Sequence, residues 1–261
     1  METVRESIYD YPQYYDLIFG SDCAAELRFL GRCQERLLKG SRKRLFEPAC
    51  GTGRLIYRLA RRGQPCDGLD LNPRAVEFCN QRLARYRLPG KVWEGDMTDF
   101  AVERPYDMAF NTINSFRHLP SEAAARNHLR CMAQAVRPGG IYLLGLHLTP
   151  TECQPVADSE RWSARRGHLQ INTFMRPAKH EPSRRLERFA IDFDIFTPSR
   201  QWRISDVLEL RSYTAKQFQS LVDSVPEWTV EQTYDFCYRI DRPIEVDGCS
   251  EDVVYLLRRG K

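Results

Sequence analysis

The sequence predicts an α/β fold: a mostly parallel sheet with helices on both faces, interrupted late in the chain by an inserted antiparallel β unit. Three observations carry this. Between residues 42 and 147 short apolar runs alternate with amphipathic helical stretches, the pattern of a parallel sheet covered by helices. Ile141 to His147 is almost wholly apolar, as expected of a strand buried on both faces. After Pro150 the periodicity changes to two, with Phe189, Ile191, Phe193 and Ile195 on one face and Ala190, Asp192 and Asp194 on the other, marking antiparallel strands with one wet face.

Taken in order, residues 44–47 read as the first strand. A helix follows Gly53 with Leu55, Ile56, Leu59 and Ala60 inward, and Gly63 ends it. The second strand, Cys66 to Leu71, runs into Asn72-Pro73, where Asn caps a helix and Pro suits its first turn. That helix carries Val76, Cys79, Leu83 and Tyr86 on one side. Strands at 91–94 and 106–112 come next, then a helix capped by Ser121 with Ala125, Leu129, Met132 and Val136 inward, broken by Pro138-Gly139-Gly140. Strands at 169–175, 189–195 and 202–210 form the insertion. Thr214-x-x-Gln217 matches a capping box for a helix bearing Phe218, Leu221 and Val222, and strands near 228–237 and 252–257 finish the chain. The expected organisation is an N-terminal helical lid over 1–40, a main domain over 41–150 and 212–261, and a substrate or oligomerisation unit over 151–211.

Several functional classes recede on composition. A chain of 261 residues buries a core without disulfide or metal support. Its start carries acids and no apolar stretch, unlike a secretory signal, and the longest uncharged run, 138–151, is too short for a bilayer, which needs about 20 apolar residues. Nine cysteines lack any C-x-x-C pair, which favours a reduced, cytoplasmic chain over a disulfide scaffold or zinc site. The net charge of +4, spread over short clusters such as Arg42-Lys43-Arg44, does not indicate a nucleic-acid partner.

The chemistry concentrates in Phe46-Glu47-Pro48-Ala49-Cys50-Gly51-Thr52-Gly53, where two glycines stand at a strand-to-helix turn and permit positive φ and close ligand approach. A dinucleotide fold wants a third glycine three residues after Gly53, and Ile56 stands there. Asp70 ends the second strand, 17 residues beyond Gly53, where a carboxylate can accept from both hydroxyls of a ribose; alone, it reads equally as a strand-end Asp satisfied by the next helix. Asp96, in Gly95-Asp96-Met97, puts a second acid at the same sheet edge, fit to accept from an adenine amine, or to serve as an ordinary turn aspartate.

Together these residues resemble the class I S-adenosylmethionine-dependent methyltransferases. The resemblance implies a Rossmann-like, seven-stranded, mostly parallel sheet with a late antiparallel strand, S-adenosylmethionine as cofactor, and S-adenosylhomocysteine as its product. It places Glu47, Ala49, Gly51 and Gly53 along the methionine part of the cofactor, Asp70 on the ribose, Leu71 beside the adenine, Asp96 and Met97 at the adenine edge, and Asn111 near the sulfonium. A narrower likeness, to small-molecule N-methyltransferases, particularly those acting on the amines of nucleotide-linked sugars, rests on Tyr14-Tyr15-Asp16-Leu17, Gly95 to Phe100, Asn114 to His118 and the β insertion. It implies that Tyr15 covers the cofactor and that Tyr15 and His118 face a small-molecule amine, with no metal. The insertion departs from those enzymes in sequence, and a homodimer through it is one arrangement the likeness admits. Nucleic-acid or protein methylation is the first rival, disfavoured because the fourth strand runs into Asn111-Thr112-Ile113-Asn114 and not an Asn/Asp-Pro-Pro-aromatic turn. A non-catalytic cofactor-binding module is the second.

Overall fold

The structure, a computed structural model, describes residues 1–40, 43–154 and 159–260. Arg42 of the first basic cluster and residues 155–158 of the expected insertion lie outside the described residues.

The chain builds two sheets. The larger joins β2 (Leu45–Pro48), β3 (Cys66–Asp70), β4 (Val92–Glu94), β5 (Tyr106–Asn111), β6 (Val136–His147), β11 (Trp228–Asp235) and β12 (Asp252–Arg259) in the order β11-β12-β6-β5-β2-β3-β4. Its pairs from β6 to β4 are parallel, whereas β12 runs antiparallel to both neighbours. The order reverses between β2 and β5, so the connections after them diverge and leave a crevice at the strands' carboxyl ends, the place where open α/β sheets bind ligands.

Helices α2 (Ala24–Leu37), α3 (Arg54–Arg61) and α4 (Pro73–Arg85) cover one face, while α5 (Glu122–Ala135) and α6 (Ala215–Asp223) cover the other. Along β6, Ile141 and Leu143 join the core under α2 and α3, and Tyr142, Leu144 and Leu146 join the one under α5 and α6, which is why this strand has no polar face. The cap signals act as expected. Asn72 Oδ1 accepts from the Arg74 and Ala75 amides, Ser121 accepts from Ala124, and Thr214 and Gln217 exchange both bonds of a capping box. Thr214→Ala is therefore expected to lower the unfolding free energy by about 1 kcal/mol, readable as a fall in the urea midpoint at unchanged m value.

The smaller sheet, ordered β1-β10-β9-β8-β7, contains β7 (Glu160–Arg166), β8 (Leu169–Glu181), β9 (Leu186–Phe196) and β10 (Gln201–Arg211), with β1 (Glu2–Arg5) added parallel to β10. Sequence periodicity misses two of these strands. β1 is four largely exposed residues held by backbone pairing and an exposed Glu2–Arg200 ion pair, and β7 is a charge-rich edge on which only Trp162 and Ala164 turn inward. The segment before residue 40 is accordingly not all helical: β1 precedes a 3-10 turn at Ile8–Asp10 and α1 (Pro12–Phe19).

Ile191, Phe193 and Ile195 pack against Leu17 and Ile18 of α1, as the period-two pattern requires. On the opposite face Arg176 and Val207 meet solvent, but the two carboxylates are covered. Asp192 and Asp194 are 9% and 7% exposed, because Arg176 and Ser205 hold the first and the Arg203 guanidinium forks onto the second at 2.6 and 2.8 Å. A carboxylate gives the same polar sign in sequence whether water or arginine satisfies it.

The expectation of a fully reduced chain is also corrected. Cys153 and Cys249 form a disulfide across 96 residues, tying the segment after β6 to the one before β12; the other seven cysteines are free. Among the described residues no helix is long and apolar enough to cross a membrane.

Candidate active site

The turn after β2 is built from left-handed backbone: Ala49, Gly51 and Gly53 have φ of 50°, 54° and 66°. Such values cost an ordinary L-residue about 1–2 kcal/mol, so the strain at Ala49 is tolerated while glycine removes it at the other two positions. The glycines differ in purpose. A Cβ on Gly51 would meet only Tyr15 Cε1 at 3.8 Å, so this backbone faces open space. A Cβ on Gly53 would lie 2.2 Å from Cys79 Sγ, so Gly53 exists to let α3 and α4 meet.

Asp70 ties the next strand to this turn. Its carboxylate accepts from the Gly51 amide at 2.6 Å and the Asn72 amide at 2.9 Å, which still leaves a lone pair on each oxygen. Burial raises its pKa, and the two amides oppose the rise. Leu71 beside it is 71% exposed, an apolar side chain presented at a cavity rim.

The N-terminal segment closes over the turn. Asp16, 5% exposed, accepts from Thr52 Oγ1 at 3.0 Å and from Arg82 at 2.8 Å, which pins α1 to the glycine turn and to α4. This brings Tyr15 over Gly51, where burial pushes its phenol up to about 12. Asn72 Nδ2 donates to the Tyr9 carbonyl at 3.0 Å, and the Tyr9 hydroxyl lies 3.1 Å from Nε2 of His118. Burial, with the Arg117 guanidinium adding to it, lowers the His118 pKa, so its imidazole is neutral at pH 7.

Two spaces result. One, of about 1450 Å³, is lined by Tyr9, Tyr15, Gly51, Asp70, Leu71 and His118, with the smaller sheet as its far wall. The other, of about 110 Å³, shares Tyr15, Ala49, Gly51 and Thr52 with the first and reaches Glu47, Arg54 and Asn111. Glu47 is buried and its pKa is raised by that burial, with the Arg54 guanidinium opposing. Arg54 itself forks onto Glu26. Asn111 Nδ2 donates to the Pro48 carbonyl at 2.9 Å. Glu47 Oε2 and Asn111 Oδ1 meet no donor among the described residues, two buried acceptors waiting for one.

Of the sequence-predicted residues, Tyr15, Glu47, Ala49, Gly51, Asp70, Leu71, Asn111 and His118 border these two spaces, and Gly53 supports them from behind. Asp96 and Met97 are placed elsewhere. The Asp96 carboxylate accepts from the Thr98 amide at 2.7 Å within its own turn, and the Met97 carbonyl engages His128 Nδ1 at 2.9 Å while its half-buried side chain packs against the core. Sequence inspection did not single out Tyr9, Asp16, Arg54 or Glu26. Tyr9 stands in the same tyrosine-rich stretch as Tyr15, but the Glu26–Arg54 pair joins positions with no motif in common.

The methyltransferase domain family matches residues 46–140. A probable phthiotriol/phenolphthiotriol dimycocerosates methyltransferase of Mycobacterium ulcerans is 31% identical over 135 residues, 51% of this chain and 49% of that protein. The chain spans less than half the length of the curated relatives it matches. Two solved structures resemble it along its length. The S-adenosylmethionine-dependent methyltransferase from Clostridium acetobutylicum is 15% identical, with 96% of this chain and 98% of that one covered at a TM-score of 0.76. The sugar N-methyltransferase KedS8 from Streptoalloteichus is 18% identical, with 100% and 96% covered at a TM-score of 0.74. With its sheet order and these likenesses, the chain has the Rossmann-like fold of these solved methyltransferases, and its residues 46–140 match the methyltransferase domain family.

Proposed function

We propose that the protein transfers a methyl group from S-adenosylmethionine to the amine of a small-molecule acceptor. The observation that carries the cofactor half is the pair of donorless acceptors, Glu47 Oε2 and Asn111 Oδ1, beside a bare glycine turn. They fit an α-ammonium group, which brings three donors and no acceptor of its own. Asp70 keeps lone pairs for two ribose hydroxyls, and Leu71 offers an apolar surface to a purine. The site so assigned omits Asp96 and Met97, which border neither space.

When bound, S-adenosylmethionine supplies a methyl carbon that bonds to the acceptor nitrogen as its bond to sulfur breaks, the electron pair returning to sulfur. The protein's part is alignment, exclusion of water and disposal of one proton. Tyr15 and α1 cover the glycine turn. In the tautomer that leaves Nε2 of neutral His118 unprotonated, the Tyr9 hydroxyl donates to it, so Tyr9 can take the amine proton while passing its own to the imidazole.

His118→Gln is expected to lower kcat about 100-fold with little change in cofactor affinity. The sign of the pH effect follows from the lowered pKa. His118 remains an acceptor down to below about 6.5, so native kcat at saturating acceptor holds to that point and falls beneath it, a limb missing in the variant. The whole proposal is tested by incubating the protein with S-adenosylmethionine carrying a labelled methyl and a metabolite extract. Label in an amine product is expected; cofactor binding without transfer to any acceptor would leave a binding protein in its place. A second copy docked through the smaller sheet is also proposed, and a monomer by sedimentation at micromolar concentration would remove it.

A further inference from the structure

The larger cavity, about 1450 Å³, exceeds the ~300–1,000 Å³ of ordinary ligand pockets, so it has room for a sizeable acceptor beside a cofactor. Its far wall is a continuous apolar patch set by strand register. Pro177, Phe189 and Leu208 lie opposite one another across β8, β9 and β10, and Met175 pairs with Ile191 one row further on. Trp162 of β7 extends the patch. In the other direction the wall turns polar at Glu187, which the buried Arg117 holds and to which Thr149 donates at 3.2 Å.

Charge on this lining is equally directional. Four basic side chains of Lys and Arg border the cavity, and among the described residues each is engaged: Arg117 with Glu187, Lys179 with Glu181 at 3.2 Å, Arg188 with Glu181 and Glu209 at 3.1 and 2.9 Å, and Arg74 with the Asp10 carbonyl at 3.2 Å. Asp10, Asp70, Glu160, Glu187, Glu251 and Asp252 border it too. A diphosphate would find three of these cations already paired with carboxylates and, among the described residues, only Arg74 without an acidic partner, and it would face this excess of carboxylates, a like-charge arrangement that opposes binding.

We infer that the acceptor is a hydrophobic amine without phosphate, its apolar body laid on the Met175, Phe189, Ile191 and Leu208 wall and its nitrogen directed toward Tyr9 and His118. This rests on the cavity being the methyl-transfer site proposed above. It departs from a nucleotide-linked sugar, the acceptor that the narrower sequence likeness implies.

The test is calorimetry on the full chain saturated with S-adenosylhomocysteine, titrated separately with 4-phenylbutylamine and with thymidine diphosphate. The amine is expected to bind with a Kd below about 1 mM and thymidine diphosphate not to bind at that concentration. Phe189→Ser and Leu208→Gln are each expected to weaken the amine about tenfold while leaving S-adenosylhomocysteine affinity within about twofold. Two variants guard against one of them misfolding, which thermal unfolding would reveal. Binding of thymidine diphosphate, absence of amine binding, or an amine affinity indifferent to both folded variants would overturn the inference. Failure of S-adenosylhomocysteine itself to bind native protein would instead strike the methyl-transfer site.

Discussion

Asp70→Ala is expected to weaken S-adenosylhomocysteine binding by about 100-fold or more. Two charge-assisted bonds to a ribose are at stake, each contributing about 1.5–3 kcal/mol, and every 1.4 kcal/mol is a factor of ten. The same carboxylate accepts from the Gly51 and Asn72 amides, so its loss also leaves buried donors unpaired. That part is expected to cost about 1–3 kcal/mol of stability, a fall of roughly 3–10 °C in the melting midpoint, which a protein of ordinary stability survives. Asp70→Asn separates the two effects. It keeps the strap's shape with one amide acceptor and lacks the charge, so its binding loss should fall between native and alanine. Unchanged affinity in the folded alanine variant would remove Asp70 from the ligand site.

Gly53→Ala is expected to destabilise the fold strongly. The added carbon would stand 2.2 Å from Cys79 Sγ, at a φ of 66°. Left-handed strain of about 1–2 kcal/mol and overpacking of about 1–3 kcal/mol combine to roughly 2–5 kcal/mol. The double variant with Cys79→Ala should recover the overpacking part and not the backbone part. Chemical denaturation of the four proteins of this cycle reads both parts, and full recovery by Cys79→Ala would show that left-handed strain contributes nothing. This assigns Gly53 to helix packing, whereas resemblance alone had put it along the cofactor with Gly51.

That difference shows where sequence reasoning stops. Period, caps and glycine spacing depend on residues near one another in the chain, and they locate the glycine turn, Asp70, the capped helices and the apolar strand before Pro150. Contacts across the chain carry no such pattern. The Asp16–Thr52–Arg82 clasp, the Tyr9–His118 pair and the Glu26–Arg54 fork join residues 28 to 109 positions apart. β1 owes its place mainly to the edge of β10, and its four largely exposed side chains carry no apolar pattern. Asp192 and Asp194 look solvated because sequence records a carboxylate and not the arginine over it. Asp96 sits at the expected sheet edge and accepts from the Thr98 amide in its own turn, a contact that its place in the sequence does not announce.

The central claim is a nucleoside ligand whose sugar lies on Asp70 and whose amino-acid end meets Glu47 and Asn111. A crystal structure of the native protein grown with S-adenosylhomocysteine tests it most directly. The account predicts both ribose hydroxyls within hydrogen-bond distance of the Asp70 carboxylate and the ammonium against Glu47 Oε2 and Asn111 Oδ1. A ligand seated away from Asp70, or an ammonium that leaves both of those oxygens unpaired, would contradict it.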